Sequence, residues 1–172
     1  MRFNLTEQRL GRRGFVAAAG ALAAMPVLAS CGSGRAEARE RANFRISKTE
    51  AQWRRQLTRN EYYILREAGT ERAYSSPLND EKRPGTFVCK GCDNRLYASA
   101  HKYDSGTGWP SFWRAIDGGA VGTSVDYKIG YPRTEVHCAD CGGHLGHIFG
   151  DGPRPTGKRH CINGLALKFI PA

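Results

Sequence analysis

Thr86-Phe87-Val88-Cys89-Lys90-Gly91-Cys92-Asp93-Asn94-Arg95-Leu96-Tyr97-Ala98 reads as two short strands joined by a thiol-bearing turn. Thr86 to Cys89 and Arg95 to Ala98 carry the β-branched and aromatic residues that strands favour. Cys89 and Cys92 stand two residues apart between them. That spacing lets one tight turn aim both thiolates at a single ion. Downstream, Cys138-Ala139-Asp140-Cys141 repeats the pattern, with Gly142-Gly143 following as Asp93-Asn94 follow the first pair. Two such knuckles from neighbouring hairpins close a tetrahedral shell of four cysteines, which is the pattern of zinc. Four protein ligands leave no position for a substrate, so a zinc here is structural. Two alternatives use the same residues: a pair of disulfides, or a shell that includes His144 or His147 from the nearby His144-Leu145-Gly146-His147.

The flanking sequence supports a mainly β domain. Ser124 to Ile129, Thr134 to Cys138 and His147 to Phe149 are further strand candidates, with Gly142 to Gly146 read as a turn. Ser105-Gly106-Thr107-Gly108-Trp109-Pro110-Ser111-Phe112-Trp113 is Gly-rich and aromatic, hence an ordered loop. Many short strands with Gly and Pro turns imply small antiparallel sheets, curled or closed into a barrel-like body. Two helices precede them. Ser47-Lys48-Thr49-Glu50 is a capping box for a helix from Ala51 to Leu57. Thr58-Arg59-Asn60-Glu61 is a second box, for a helix through Glu67 with Gly69 as its stop. Trp53, Leu57, Tyr62 and Leu65 would pack this pair on the body, a structural role.

The last stretch, Arg159 to Phe169, alternates as one strand, with Cys161, Asn163, Leu165, Leu167 and Phe169 on one face. Taken alone, Cys161 is as readily a buried core thiol as a reactive one. The chain has six cysteines, and the knuckles use four. Arg159 and His160 beside Cys161 would favour its thiolate. His144, His147 and the Trp109 loop could join it, although each is singly explicable as surface or core.

The N-terminus reads as an address. Residues 1–14 are polar and basic, and residues 15–30 are apolar and small, too short to span a bilayer comfortably. Gly11-Arg12-Arg13-Gly14-Phe15-Val16 resembles a twin-arginine export signal. Leu28-Ala29-Ser30-Cys31 resembles a lipobox, in which Cys31 would carry lipid after cleavage. The alternative is plain cleavage nearby, with Cys31 lost or left as a free thiol. Residues 1–30 are thus expected to be a signal peptide, 31–46 a flexible tether and 47–172 the folded domain. The expected destination is periplasmic, anchored to the membrane through Cys31. The 172 residues carry a net charge of +10, and the chain past the signal stays basic without a basic block.

From about Thr49 to Pro171 the chain resembles the B-type methionine sulfoxide reductases, which act on methionine-R-sulfoxide. The likeness lies in Ile64-Leu65-Arg66-Glu67-Ala68-Gly69-Thr70-Glu71, Ser105 to Phe112 and Arg133-Thr134-Glu135-Val136. It continues through His144 to Phe149, Asp151-Gly152-Pro153 and Arg159-His160-Cys161-Ile162-Asn163. The resemblance implies a β-tent-like fold around one structural zinc held by Cys89, Cys92, Cys138 and Cys141. It implies Cys161 as nucleophile, His147 as general acid helped by His144, Asn163 holding the reacting groups, and Trp109 and Phe149 against the substrate. It further implies an oxidised protein or peptide as substrate, a sulfenic acid on Cys161, and a thioredoxin-like thiol donor. A monomer without nucleic-acid partners is expected. Many members carry a second, resolving cysteine where this chain has Thr107. Cys31 is the only substitute, and a lipidated Cys31 leaves a one-cysteine enzyme. The spelling of Asp126 to Pro132 also departs from the commoner ones. Two rival classes share the zinc fold: a basic zinc-ribbon module binding single-stranded nucleic acid, and a non-catalytic scaffold that would tolerate Ser at position 161.

Overall fold

The computed structural model describes residues 44–172. The export signal, the lipobox with Cys31 and the tether up to residue 43 lie outside the described residues. Among the described residues no helix is long and apolar enough to cross a membrane.

Two short helices open the domain. Helix α1, Glu50–Gln56, is capped by Thr49, whose side chain accepts from the Gln52 amide while Gln52 accepts from the Thr49 amide. Two overlapping boxes compete here. The one starting at Thr49 is used, not the one expected at Ser47, and it lets Trp53 turn inward. Helix α2, Arg59–Glu67, starts from the Thr58–Glu61 box as expected and buries Tyr62, Ile64 and Leu65. It ends at Glu67 as expected, but the left-handed residue that stops it is Ala68, at φ 51°, rather than Gly69.

Among the described residues, nine strands form two antiparallel sheets. Strands β1 (Gly85–Cys89), β2 (Arg95–Ala98) and β9 (Leu167–Pro171) make a three-stranded sheet in the order β2-β1-β9. Strands β3 (Lys102–Tyr103), β4 (Ser111–Phe112), β5 (Val121–Asp126), β6 (Arg133–Cys138), β7 (His144–Phe149) and β8 (Arg159–Ile162) make the second, in the order β3-β4-β8-β7-β6-β5. The expected pairing of Thr86–Cys89 with Arg95–Ala98 is present, with Phe87 opposite Tyr97. Aromatic rings join the two sheets: Phe112 of β4 stacks on Tyr97 of β2 at 4.3 Å and meets Phe87 of β1 edge-on at 5.0 Å. All three are fully buried, with Leu96, Val136, Leu145 and Ile162 around them.

Four local expectations are corrected. The stretch from Arg159 to Phe169 is not one strand. It breaks after Ile162, turns through a short 3-10 segment at Gly164–Ala166, and re-enters the other sheet as β9. The turn is held from outside by the Glu71 carboxylate, which accepts from Gly164 N at 2.5 Å and Leu165 N at 3.0 Å. Residues 142–146 are not all turn, since β7 begins at His144. The strand expected over Ser124–Ile129 lies earlier, because Asp126 accepts from the Lys128 amide and Gly130, at φ +89°, closes a turn on Tyr127. Phe44 to Ile46, which the sequence assigns to the tether, dock on the second knuckle. Ile46 N donates to Asp140 O at 2.8 Å, and Arg45 pairs with the Asp140 carboxylate.

Candidate functional site

The two knuckles meet between the sheets. Each Cys-x-x-Cys turn closes on itself: Asp93 N donates to Cys89 O and Gly142 N to Cys138 O, both at 2.9 Å. The residue after each second cysteine, Asp93 or Gly142, takes a positive φ of 61° or 66°. The four sulfurs lie within 4.8 Å of one another, with Cys89 to Cys141 at 3.8 Å and Cys92 to Cys138 at 3.5 Å. A tetrahedral shell with ~2.3 Å metal–sulfur bonds places its sulfurs about 3.8 Å apart. All four are free thiols rather than disulfides. Asn94 adds a side-chain N–H to Cys138 Sγ at 3.4 Å. The four cysteines can therefore hold a metal ion, and the soft sulfur set suits zinc. His144 and His147 are turned instead to carboxylates, which removes the mixed-ligand alternative.

A second site lies on the six-stranded sheet. Cys161 in β8 sits directly across from His147 in β7 and from Ser111 in β4. A cavity of about 120 Å³ opens on its thiol, lined by Thr70, Trp109, Arg133, Gly146, His147, Phe149, Cys161 and Asn163. Five of the six candidate residues read from the sequence thus converge on one small space. The sixth, His144, lies behind His147, fully buried, with ring centroids 5.3 Å apart. Residues three apart in a regular strand face opposite ways. The register with β6 slips between Gly146 opposite Val136 and His144 opposite His137, and this bulge at Leu145 brings both imidazoles to one side.

Each histidine is fixed by a carboxylate. His147 Nε2 meets Asp126 Oδ2 at 2.8 Å, and Arg133 Nη2 donates to the same oxygen at 2.8 Å. His144 Nδ1 meets Glu135 Oε1 at 2.5 Å, while Ser124 donates to Glu135 Oε2 at 2.7 Å. Burial lowers the His147 pKa, only partly offset by the Asp126 hydrogen bond, and Arg133 and His144 lower it further. The ring is therefore neutral near pH 7, and a hydrogen donated by Nε2 to Asp126 leaves Nδ1 as the acceptor.

The surroundings of Cys161 differ from the sequence expectation. Burial raises its pKa, and contacts with Thr107 and Arg159 only partly offset that. His160 contributes nothing to a thiolate. It points to the other face, 3.2 Å from the Tyr97 hydroxyl, and burial lowers its pKa to about 4, so it is uncharged. Arg159 is shared: its guanidinium forks onto Asp151 at 3.0 and 2.9 Å and lies over the Phe149 ring at 4.4 Å. Asn163 shares the cavity with Cys161, yet its amide is engaged at both ends. It accepts from Glu71 N and donates to Leu145 O, each at 3.0 Å. Trp109 Nε1 donates to Glu71 O at 3.2 Å. The backbone of Glu71 thereby holds both the aromatic wall and the asparagine.

Asp126, Arg133, Glu135 and Glu71 were not singled out as site residues from the sequence. None left a usable trace: Glu135 is buried beside the equally buried Val136, on the face that the apolar alternation of β6 marks as outward, and its place opposite His147 appears only with the strand register.

A half-buried thiol thus faces a carboxylate-fixed imidazole beside two aromatic walls, in a domain whose four clustered cysteines could hold a metal ion. The chain belongs to the SelR domain family, whose model matches residues 57–171. It is 47% identical over 127 residues to the peptide methionine sulfoxide reductase MsrB of Leptospira interrogans serovar Lai, covering 74% of this chain and 97% of that protein. It is 48% identical over 127 residues to the protein of the same name from Agrobacterium fabrum, covering 74% of this chain and 94% of the relative. To the chloroplastic peptide methionine sulfoxide reductase B1 of Oryza sativa it is 51% identical over 128 residues, 74% of this chain and 59% of the relative.

Proposed function

We propose that the chain is a peptide-methionine (R)-S-oxide reductase that uses Cys161 as nucleophile and an external thiol as reductant. The observation that carries this reading is the single cavity that joins the Cys161 thiol, the His147 ring and the Trp109 and Phe149 walls. A sulfoxide sulfur is electrophilic, but its oxygen departs only once protonated. His147 Nδ1 takes the thiol proton, the Cys161 sulfur attacks the sulfoxide sulfur, and the same proton is delivered to the oxygen. Asp126 holds the ring in the required tautomer and stabilises its transient charge. Trp109 and Phe149 pack the methyl group, since sulfur-bound methyls interact favourably with aromatic rings. His144, fixed by Glu135, supports the His147 ring, and Asn163 keeps the end of β8 in place. Methionine leaves and Cys161 is a sulfenic acid, which a thiol must reduce.

Zinc bound by Cys89, Cys92, Cys138 and Cys141 would cross-link the two sheets and take no part in the chemistry. The folded domain of residues 47–172 would follow a signal peptide at 1–30. The Arg12-Arg13 and Leu28-to-Cys31 motifs support export by the twin-arginine route, a periplasmic location, a lipid anchor on Cys31 and oxidised exported proteins as substrates. A thioredoxin-like thiol donor would regenerate the enzyme there. With Thr107 in place of a second active-site thiol, one equivalent of methionine-R-sulfoxide and no reductant should leave a sulfenic acid on Cys161, trapped by dimedone and located by mass spectrometry. A Cys31–Cys161 disulfide would instead make Cys31 the resolving thiol. Absence of both products would refute the reading.

A further inference from the structure

Beside Cys161 runs a line of hydroxyls whose hydrogens can be counted. Ser111 Oγ donates to Trp109 O at 3.1 Å. Ser105 Oγ lies 2.7 Å from Ser111 Oγ and 2.8 Å from Thr107 Oγ1, and Thr107 Oγ1 lies 3.9 Å from Cys161 Sγ. Each hydroxyl owns one hydrogen, and a carbonyl oxygen can only accept. With the Ser111 hydrogen on Trp109 O, Ser105 donates to Ser111, Thr107 donates to Ser105, and the hydrogen in the last contact is the thiol's own. In the opposite direction Ser111 donates to Ser105, Ser105 to Thr107 and Thr107 to the sulfur. Each of the three side-chain contacts accepts a donor from either side, and only the first direction gives Trp109 O the Ser111 hydrogen.

We propose that Ser105, Thr107 and Ser111 form a latch on the nucleophile, accepting the Cys161 S–H at rest and reversing together when that proton leaves, so that Thr107 then donates to the sulfur. This rests on the reading of Cys161 as nucleophile. Thr107 touches the reacting atom, whereas Ser105 and Ser111 act through it as positioning residues. Reversal has a cost, because Trp109 O loses its donor. At rest the latch thus favours the thiol, and once reversed the Thr107 hydrogen bond favours the thiolate, the direction in which that contact opposes burial. Overall, thiol and sulfoxide become sulfenic acid and sulfide. The S–H and sulfoxide S–O bonds break, new S–O and O–H bonds form on Cys161, and the two electrons pass from the cysteine sulfur to the methionine sulfur. A thiol is also less oxidisable than a thiolate while it waits for substrate.

The charged and titratable groups around the thiol are His147 and Arg133 across the sheet, Arg159 and its partner Asp151, and Tyr103 of β3. None of them changes in the following variants. The test is the pH dependence of iodoacetamide labelling of Cys161 in the full chain, read on its own peptide by mass spectrometry. Ser111→Ala removes the anchored end, so Ser105 and Thr107 can turn toward a thiolate at no loss. The labelling midpoint should fall by about half to one pH unit. Ser105→Ala frees Thr107 in the same way and should also lower it, which covers the case that the fully buried Ser111 site does not tolerate change. Thr107→Val removes the hydroxyl donor to the thiolate, leaving Arg159, and should raise the midpoint by a similar amount. Shifts of one sign in all three variants, or none, would overturn the latch. Labelling needs no turnover, so a chain that failed to reduce sulfoxide would sink the nucleophile reading while leaving these signed shifts measurable.

Discussion

Gly146 offers the sharpest mutational test of the site geometry. It lies in β7 opposite Ile162, one residue from the His147–Cys161 pair. A Cβ built there would stand 2.0 Å from the Cys161 carbonyl oxygen and 3.0 Å from its carbonyl carbon. Real Cβ contacts essentially never fall under 3.0 Å, so β7 and β8 would have to part by about 1 Å in Gly146→Ala. The obstacle is backbone and cannot rotate away. The parting falls between the Cys161 thiol and the His147 imidazole. A misplacement of about 1 Å can cost on the order of 100-fold in rate, and overpacking of this kind costs about 1–3 kcal/mol of stability. The assay is kcat/KM on a methionine-R-sulfoxide peptide beside urea unfolding of the same preparation. Gly118→Ala, where the added carbon meets nothing within 4 Å, is the control. A folded Gly146→Ala protein with wild-type kcat/KM would refute the claim that the β7–β8 approach sets the reacting distance.

Other outcomes follow from neighbouring groups. Asp126→Asn removes the interaction that raises the His147 pKa while leaving burial and Arg133 to lower it; the acid limb of the pH–rate profile should move to lower pH and kcat should fall by about 10- to 100-fold. Cys138→Ser should abolish stoichiometric zinc in metal analysis and lower the thermal midpoint by roughly 10 °C or more. His160 has its folded pKa depressed to about 4 by burial. The unfolded chain therefore binds the extra proton between its ordinary value near 6.5 and about 4, and stability falls as pH drops through that window, by up to about 3 kcal/mol from this group. His160→Gln should flatten the slope of unfolding free energy against pH there, measured by urea titration.

What the sequence discloses is what short spacing controls. The knuckles, the β1–β2 pair and the Thr58 cap each depend on residues within a few positions, and each is present as read. The site geometry depends on register between distant strands. His144 and His147 share a side only because of the bulge at Leu145, and nothing in the order of residues marks that slip. Alternation even misdirects at β5 and its turn. Val125, Tyr127, Ile129 and Tyr131 are exposed while Asp126 turns inward to His147, the reverse of the usual apolar-inside pattern. The turn at Gly164 that follows β8 is held by Glu71, more than ninety residues away along the chain. The two-residue strand β4 is too short to carry a period of its own, yet it sets Ser111 against Cys161.

The central claim is that Cys161 reduces one epimer of methionine sulfoxide. Turnover of separated R and S sulfoxide peptides by wild type and by Cys161→Ser, with dithiothreitol as reductant, tests it most directly. Turnover of the R epimer alone, abolished by the substitution, is the predicted result. Equal turnover of both epimers, or activity that survives in Cys161→Ser, would contradict it.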